Sequence, residues 1–519
     1  MDKTQLKNFA IWARRRLIED IKRKAEIIGI TENGIQDEAE ASTNGLQIFE
    51  VNGQINKLYG KDIEKRKSLI EQIKLKEEET DYKMAFNYII EEVAYTWFNR
   101  IIAIRYMEIN DYLPSRIRIL SSIENSEPEI MKKYIDADLV FTEKELQLIE
   151  EYEDTNKPDD LFALIFIKQC NVLNEILPEL FEKTADYMEI LLNISFTTKD
   201  SLIGKLINEV DEENFEDIEA IGWLYQYYNT EEKNRVINLY KGDVKKDDIP
   251  FSTQLFTPDW VVRYMVDNTL GRYWIERNPK SNLINELEFF VKSKKDDIKY
   301  IDEKISVEDI TFLEPSMGSG YILSYAFDVF LKIYLESGYR EREAVEIILS
   351  NNLYGLDIDK RAYQLAYFTL MMKGRKYDRR LFSKNIKLNI KCYKDYKANN
   401  IDNKNLQNLL NDFKDAKNLG SIINIDKELD IDKLKEEFKI QKEEQVSIEG
   451  YNNTKIYEVL EQAKFLNKKY DIVCTNPPYL AKMNANLKKY VTKHYKDYKG
   501  DLYSVFIYKN LQLCKQNGY

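Results

Sequence analysis

Between Ile310 and Met372 the chain twice repeats one pattern: a short apolar run, a tight polar turn and an apolar helix. Ile310-Thr311-Phe312-Leu313 reads as a buried strand, Glu314 to Gly320 as its turn, and Tyr321 to about Glu336 as the helix. Leu353-Tyr354-Gly355-Leu356 is a second strand, ending in Asp357-Ile358-Asp359 before a helix over Arg361–Met372. Strands joined through helices pair in parallel, with helices covering both faces of the sheet. Leu388–Tyr393 is the third strand, with Asp395 at its end, and Tyr470–Thr475 the fourth. The fold class expected is therefore α/β, a doubly wound Rossmann-like domain. Lys397–Lys469 is too long and polar for an ordinary crossover and reads as a helical insertion. After the fourth strand a helix runs from Asp501 to near Asn517-Gly518, and the chain stops at Tyr519, where the next strand is due.

The preceding half reads differently. Residues 1–245 hold few Gly and Pro, many Glu/Lys pairs and long segments with a period near 3.6, so they are expected to form a helical N-terminal domain. An early helix carries Trp12, Leu17, Ile21 and Ala25 on one side, and Met84–Asn110 is a strongly apolar helix that Pro114 should stop. Trp97, Phe98 and Ile101 in it, like the aromatic stretch Ile221–Tyr228, read as packing. Asn44-Gly45 and Asn52-Gly53 are turn signals, and a small hairpin fits about the second. The polar, charged stretch Lys241–Pro250 marks the boundary, leaving 246–519 as the second domain. Its first helix, Asp259 to Leu270, follows Phe256-Thr257-Pro258, with Thr257 expected as N-cap and Pro258 in the first turn.

Several chemistries are excluded early. A single histidine (His494) and four scattered cysteines without CxxC spacing argue against a zinc site and a His-based triad, and for a reducing cytoplasm. The longest purely apolar run, Leu161–Ile167, is far too short to span a membrane. The turn after the first strand lacks both G-x-x-x-x-G-K-[ST] and G-x-G-x-x-G, so nucleotide hydrolysis and dinucleotide binding do not fit. Glu314 at that turn repels phosphate and suits a cationic amino-acid moiety, while glycines there let a ligand approach the backbone. An acid at the tip of the second strand can accept both ribose hydroxyls of a nucleoside, a role that suits Asp357, since Asp359 is placed to cap the helix. Asp395 is a weaker candidate for an adenine amino group, because turn aspartates are common.

The fourth strand delivers Asn476-Pro477-Pro478-Tyr479. An exocyclic amine is a poor nucleophile because its lone pair is delocalised into the ring. An Asn side-chain oxygen and the next residue's carbonyl can accept its two hydrogens and localise that pair toward an electrophilic methyl group. Two prolines stiffen the turn and aim its carbonyls outward, and Tyr479 offers a flat face for a base taken out of the helix. The same four residues also describe an ordinary strand-ending proline turn. The net charge of -12 is the opposite of a simple nucleic-acid-binding domain. Ala481–Lys499 nevertheless holds six lysines and one aspartate, with Tyr490, Tyr495 and Tyr498 among them. That composition describes either a phosphate-tracking loop or a solvated helix face.

These motifs, in this order, resemble those of the S-adenosylmethionine-dependent amino-methyltransferases acting on DNA adenine. Phe256-Thr257-Pro258 resembles their N-terminal cofactor motif, Leu313 to Gly320 their acid-Pro-x-x-Gly-x-Gly turn, and Gly355 to Asp359 their ribose motif. Ser316-Met317 departs from the Ala-Cys commonest there. The resemblance implies cofactor-binding roles for Thr257, Glu314, Pro315, Gly318, Gly320, Asp357 and Ile358. It implies activation of adenine N6 by Asn476, within a catalytic motif completed by Pro477, Pro478 and Tyr479. More narrowly, Leu6–Arg14, Tyr95–Arg100 and Gly222–Tyr228 resemble the adenine-specific methyltransferases of BREX phage-defence systems, across essentially the whole chain. That implies double-stranded DNA as substrate, other defence proteins as partners, and a chain corresponding to an amino-terminal portion with an incomplete catalytic sheet. Methylation of a protein glutamine or of guanine, and a cofactor-binding scaffold without turnover, are the competing readings.

Overall fold

Asp2 opens the first helix, α1 (Lys3–Ile27), by accepting hydrogen bonds from the backbone N–H groups of Thr4 and Gln5. The computed structural model describes residues 1–519 apart from 44, 52, 125–126, 183–185, 240–241, 256, 293–297, 397–400, 402 and 445–449. Two compact units result, Met1–Tyr228 and Asn229–Tyr519. The expected boundary near residue 245 thus falls earlier, because the helix Thr230–Leu239 packs onto Ile249–Thr253 of the second unit.

In the first unit, Leu6, Phe9, Ala10, Ala13, Leu17, Ile21 and Ala25 are buried along one face of α1. They pack against α2 (Tyr82–Ile109) and α3 (Glu219–Tyr228). Trp97, Phe98 and Ile101 are core residues, and Tyr228 meets Tyr95 and Phe98 with ring centroids 5.2 Å and 4.5 Å away. The unit is not wholly helical: β1 (Leu46–Val51) and β2 (Gln54–Tyr59) form an antiparallel hairpin about Gly53. Asn44 and Asn52 lie outside the described residues.

The second unit is built on four parallel strands: β3 (Phe312–Glu314), β4 (Leu353–Asp357), β5 (Asn389–Cys392) and β6 (Ile472–Val473). Their order is β5-β4-β3-β6, so the chain winds outward from β3 and then returns on its other side. A crevice at the carboxyl ends of the strands, where the winding reverses, is where such sheets bind ligands. Here that point lies between β3 and β6. All of β3 is buried, as expected of a strand covered on both faces. The helix α4 (Tyr321–Glu336) follows β3 at the expected limits, and α5 (Lys360–Tyr377) follows β4 and runs five residues beyond the expected end at Met372. Asp471 ties the amino ends of β3 and β6 together. It accepts from the Thr311 N–H and hydroxyl, both at 2.9 Å, and from the Tyr273 hydroxyl at 2.7 Å.

Between β5 and β6, Lys397–Lys469 contains the helices Lys404–Asp412, Ile431–Glu444 and Gly450–Asn467. Leu406, Leu409, Leu410, Val459 and Leu460 from it share one apolar core with Leu313 and Leu356 of the sheet. It is therefore part of the domain's interior and not a surface loop. Two local expectations are corrected. Thr257 is not the N-cap: the helix begins one residue later, at Asp259 after Pro258, and the Thr257 hydroxyl is bonded elsewhere. That helix also does not run unbroken to Leu270. It widens into a π turn over Asp267–Gly271, where Asp267 and Asn268 accept from the Phe289 and Val291 N–H groups.

Candidate active site

The turns that leave β3 and β6 are stitched together by side chains. The Ser316 and Thr475 hydroxyls lie 2.7 Å apart, and the Ser316 hydroxyl also reaches the Asn476 carbonyl at 3.5 Å. On the other flank the Met317 N–H donates to the Leu356 carbonyl at 3.0 Å, and the Gly318 N–H to Asp357 Oδ2 at 2.8 Å. One seven-residue turn, 314–320, thereby joins the tips of β4, β3 and β6, and with them Asp357, Glu314 and Asn476.

The glycines of this turn have different tasks. Both have positive φ, +52° at Gly318 and +79° at Gly320, a region that a Cβ disfavours. A Cβ on Gly320 would lie 2.9 Å from that of Ala366, so its bareness serves the packing of α5. A Cβ on Gly318 would meet nothing within 4 Å and would project into open space above the turn. Gly355 in β4 makes room for the Met317 sulfur, which accommodates a longer side chain in this turn.

Two acids stand at the rim in unusual states. Glu314 is 3% exposed, and its Oε2 has no hydrogen-bond partner. Burial pushes its carboxyl well above the usual carboxylate range, the Leu323 N–H pulls the other way, and Asp357 adds to the rise. Asp357 is half-buried and is held by the N–H groups of Gly318 and Asp359, both at 2.8 Å. Desolvation outweighs those two bonds and raises it to about 7, with the Asp359 charge contributing. Asp359 caps α5 through the Arg361 N–H, as expected. An uncompensated buried carboxylate is costly, so burial holds both acids toward their protonated form.

Asn476 is half-buried and its amide is bonded at both ends. Its Nδ2 donates to the Thr257 hydroxyl at 3.0 Å, and its Oδ1 accepts from the Tyr479 hydroxyl at 3.0 Å. Thr257, 8% exposed, thus orients the amide so that its oxygen faces Tyr479. Tyr479 is 51% exposed, and the Tyr503 ring lies beside it at 5.8 Å and 36°. Pro477 and Pro478 are half-buried and carry the chain to Leu480. The Leu480 N–H then donates to Asp501 at 3.0 Å.

Thr257 with Asn476 and Tyr479, and Gly318 with Asp357, are therefore hydrogen-bonded about one turn at the sheet rim, and that turn also carries Glu314, Pro315 and Gly320. Ile358 is half-buried beside Asp357 and packs against the apolar core, its Cγ2 3.0 Å from where a Cβ of Gly420 would lie. Asp395 is engaged otherwise: Lys246 Nζ donates to it at 2.6 Å and the Lys417 N–H at 3.0 Å. Phe256 lies outside the described residues. Sequence reasoning missed Ser421, from the insertion. Its hydroxyl, in a residue 1% exposed, donates to the Pro315 carbonyl at 2.5 Å and lies 3.1 Å from that of Tyr393. Nothing in the local sequence signals a contact across 106 residues. The tyrosines of Ala481–Lys499 are also not free stacking faces: Tyr495 is 2% exposed, and Tyr498 stacks on Tyr508 at 4.5 Å.

Residues 351–519 match the Eco57I restriction-modification methylase family. The whole chain aligns with the adenine-specific methyltransferase PglX of Lacticaseibacillus casei (strain Zhang), 40% identical and covering 46% of that protein. It aligns equally completely with the adenine-specific methyltransferase BrxX of Escherichia coli O9:H4 (strain HS), 32% identical and again covering 46%. The DrdV–DNA complex overlaps 90% of the chain and 38% of its own at 13% identity, with a TM-score of 0.32, too slight to bear on fold or function. The chain spans about half the length of the curated relatives it matches. Along its whole length the chain is thus similar to the adenine-specific methyltransferases PglX and BrxX, and over residues 351–519 to the Eco57I restriction-modification methylase family.

Proposed function

We propose that this chain provides the cofactor-binding and catalytic surface of a DNA adenine N6-methyltransferase. In this reading it uses S-adenosyl-L-methionine to modify a flipped adenine in double-stranded DNA, in the cytoplasm, within a BREX-type phage-defence system alongside other defence proteins. The observation that carries the reading is the joining of Glu314, Asp357 and Asn476 through one turn at the point where the sheet reverses. The relatives' printed names, adenine-specific methyltransferases, support the same chemistry.

The residues present fit the cofactor. The orphaned, buried Oε2 of Glu314 suits the ammonium of its methionine part, and Asp357 suits its ribose hydroxyls. The open space above Gly318 suits close approach to the turn. When bound, S-adenosyl-L-methionine supplies an electrophilic methyl group. Asn476 Oδ1 and the Pro477 carbonyl accept the hydrogens of the adenine amine and localise its lone pair. Thr257 holds the amide in that orientation, and Tyr479 stacks on the extruded base. Catalysis is then positioning and lone-pair localisation, with no titrating histidine or metal in the scheme. Asp395, held by Lys246, takes no part in it.

Labelled methyl transfer to unmethylated duplex DNA tests the proposal. Asn476→Ala should lower transfer on the order of 10²–10³-fold while leaving cofactor binding, read by calorimetry, within about twofold. Cofactor binding without transfer to any duplex would favour the scaffold reading instead.

A further inference from the structure

The stretch between Tyr479 and α6 (Leu502–Leu513) leaves and rejoins the rim at a single place. The Leu480 N–H donates to the Asp501 carboxylate at 3.0 Å, and the Leu502 N–H to the Leu480 carbonyl at 3.2 Å. The intervening 21 residues, 481–501, form an excursion rooted beside Tyr479. Its inner side is fastened to the insertion. Asn484 exchanges amide bonds with Asn418 at 2.8 and 3.2 Å, and the Tyr490 hydroxyl accepts from the Asn424 N–H at 2.8 Å. The Tyr495 hydroxyl donates to the Ile422 carbonyl at 2.6 Å. Leu487 and Val491 of the helix Ala485–His494 are fully buried against the same core.

The outer side is different in kind. Lys488, Lys489, Lys493, Lys496 and Lys499 are all exposed, and none forms an ion pair among the described residues. Elsewhere in this unit some lysines are paired, as Lys246 is with Asp395 and Asp415, Lys394 with Glu458, and Lys515 with Asp471, while exposed ones without an ion pair among the described residues, such as Lys280, Lys304 and Lys414, are scattered along the chain. The opposing charges are few: Asp497 and Asp501 within the stretch, the latter accepting from the Leu480 and Tyr503 N–H groups, and Asp412, whose carboxyl lies in the field of Lys493. In a chain of net charge -12, five exposed lysines without an ion pair within twelve residues of one braced segment are complementary to a polyanion. The apolar side of the helix is turned inward, which leaves nothing to insert into a lipid surface.

We propose that this lysine face is a phosphate-contacting surface for duplex DNA, gripping the backbone that flanks the target nucleotide while Asn476 and Tyr479 handle the base. The choice of partner rests on the DNA-methylation reading above. Because its inner side is fastened, the face acts as a rigid rail, and its contacts are indifferent to base sequence.

The test is the salt dependence of binding to a non-cognate duplex, using the whole chain. Lys488→Gln/Lys489→Gln/Lys493→Gln should weaken binding about tenfold or more and flatten log K against log salt by about 2.7, at about 0.9 per lysine. Cofactor affinity should not change. The control Lys7→Gln/Lys61→Gln/Lys144→Gln makes the same charge change on exposed lysines of the first unit and should leave the slope intact. Wild-type slope in the first variant, an equal effect in the control, or no salt-dependent duplex binding by the wild type would each overturn the proposal. Lysine-dependent binding without methyl transfer would instead count against the catalytic reading and leave this surface standing.

Discussion

The Tyr479 hydroxyl donates to the Asn476 amide oxygen across 3.0 Å, so the acceptor assigned to the adenine amine is already satisfied by the residue assigned to stack on the base. An amine approaching Asn476 Oδ1 must share that oxygen with the Tyr479 hydroxyl or displace it. Tyr479→Phe keeps the ring and removes the competing donor, a net hydrogen bond worth roughly 1 kcal/mol. The Phe variant should show a lower KM for duplex DNA, by about fivefold. Tyr479→Ala loses stacking of roughly 1–3 kcal/mol and should raise it. Steady-state transfer assays on both variants check this; equal impairment of the two would show that the hydroxyl is needed in the complex.

Gly318 and Gly320 share a backbone conformation and differ in surroundings. Gly318→Ala meets no atom within 4 Å, so its cost to the fold is about 1–2 kcal/mol of left-handed strain. Its methyl group enters the proposed cofactor space, and cofactor affinity should fall by more than tenfold. Gly320→Ala presses on Ala366 at 2.9 Å and should unfold at clearly lower temperature. Thermal melts beside cofactor titrations distinguish the two; equal loss of Tm would remove the distinction drawn between these glycines.

Ser421→Ala leaves the buried Pro315 carbonyl without its 2.5 Å donor and the Tyr393 hydroxyl without a neighbour. An orphaned buried acceptor costs about 1–3 kcal/mol. Denaturant unfolding should show that loss. KM for the cofactor should rise while kcat changes little, because Ser421 acts on the turn and not on the reacting atoms. An unchanged KM would mean that the insertion braces the fold without setting the turn.

Protons should leave the site when the cofactor enters. Asp357, raised to about 7, and Glu314, raised well above its usual range by burial, hold protons in the native state that the unfolded chain gives up near pH 4. The native state thus binds more protons, so the unliganded unit loses stability as pH rises from about 4 to about 7. Ammonium and ribose hydroxyls favour the ionised acids. Affinity should therefore increase from pH 6 to 8, with proton release at pH 7. Calorimetry in two buffers of different ionisation heat measures that release, and Glu314→Gln should diminish it; identical heats in both buffers would refute the assignment.

Much of the second unit was legible because its signals are local. Alternating strand, turn and helix placed β3, β4 and β5 to within a residue or two, and Glu314, Asp357 and Asn476 were found at strand ends. The Thr257 cap was misread for a non-local reason: its hydroxyl is recruited by Asn476, 219 positions away. The basic-aromatic stretch after Tyr479 was half right. Its lysines face outward, while Tyr490, Tyr495 and Tyr498 are spent on packing and hydrogen bonds to neighbouring segments.

Periodicity, turn chemistry and the order of motifs determined by themselves that this chain carries a parallel sheet with Glu314, Asp357 and Asn476 at the ends of its strands, because those signals are written within a few residues. Tertiary structure alone decided which groups meet there. The Ser316–Thr475 clasp, the Thr257–Asn476 bond and the Ser421–Pro315 bond each join residues more than a hundred positions apart. Such pairings arise only when the buried faces of distant segments close on one another, and hydrogen-bond partners chosen by that closure leave no local trace in the order of the residues.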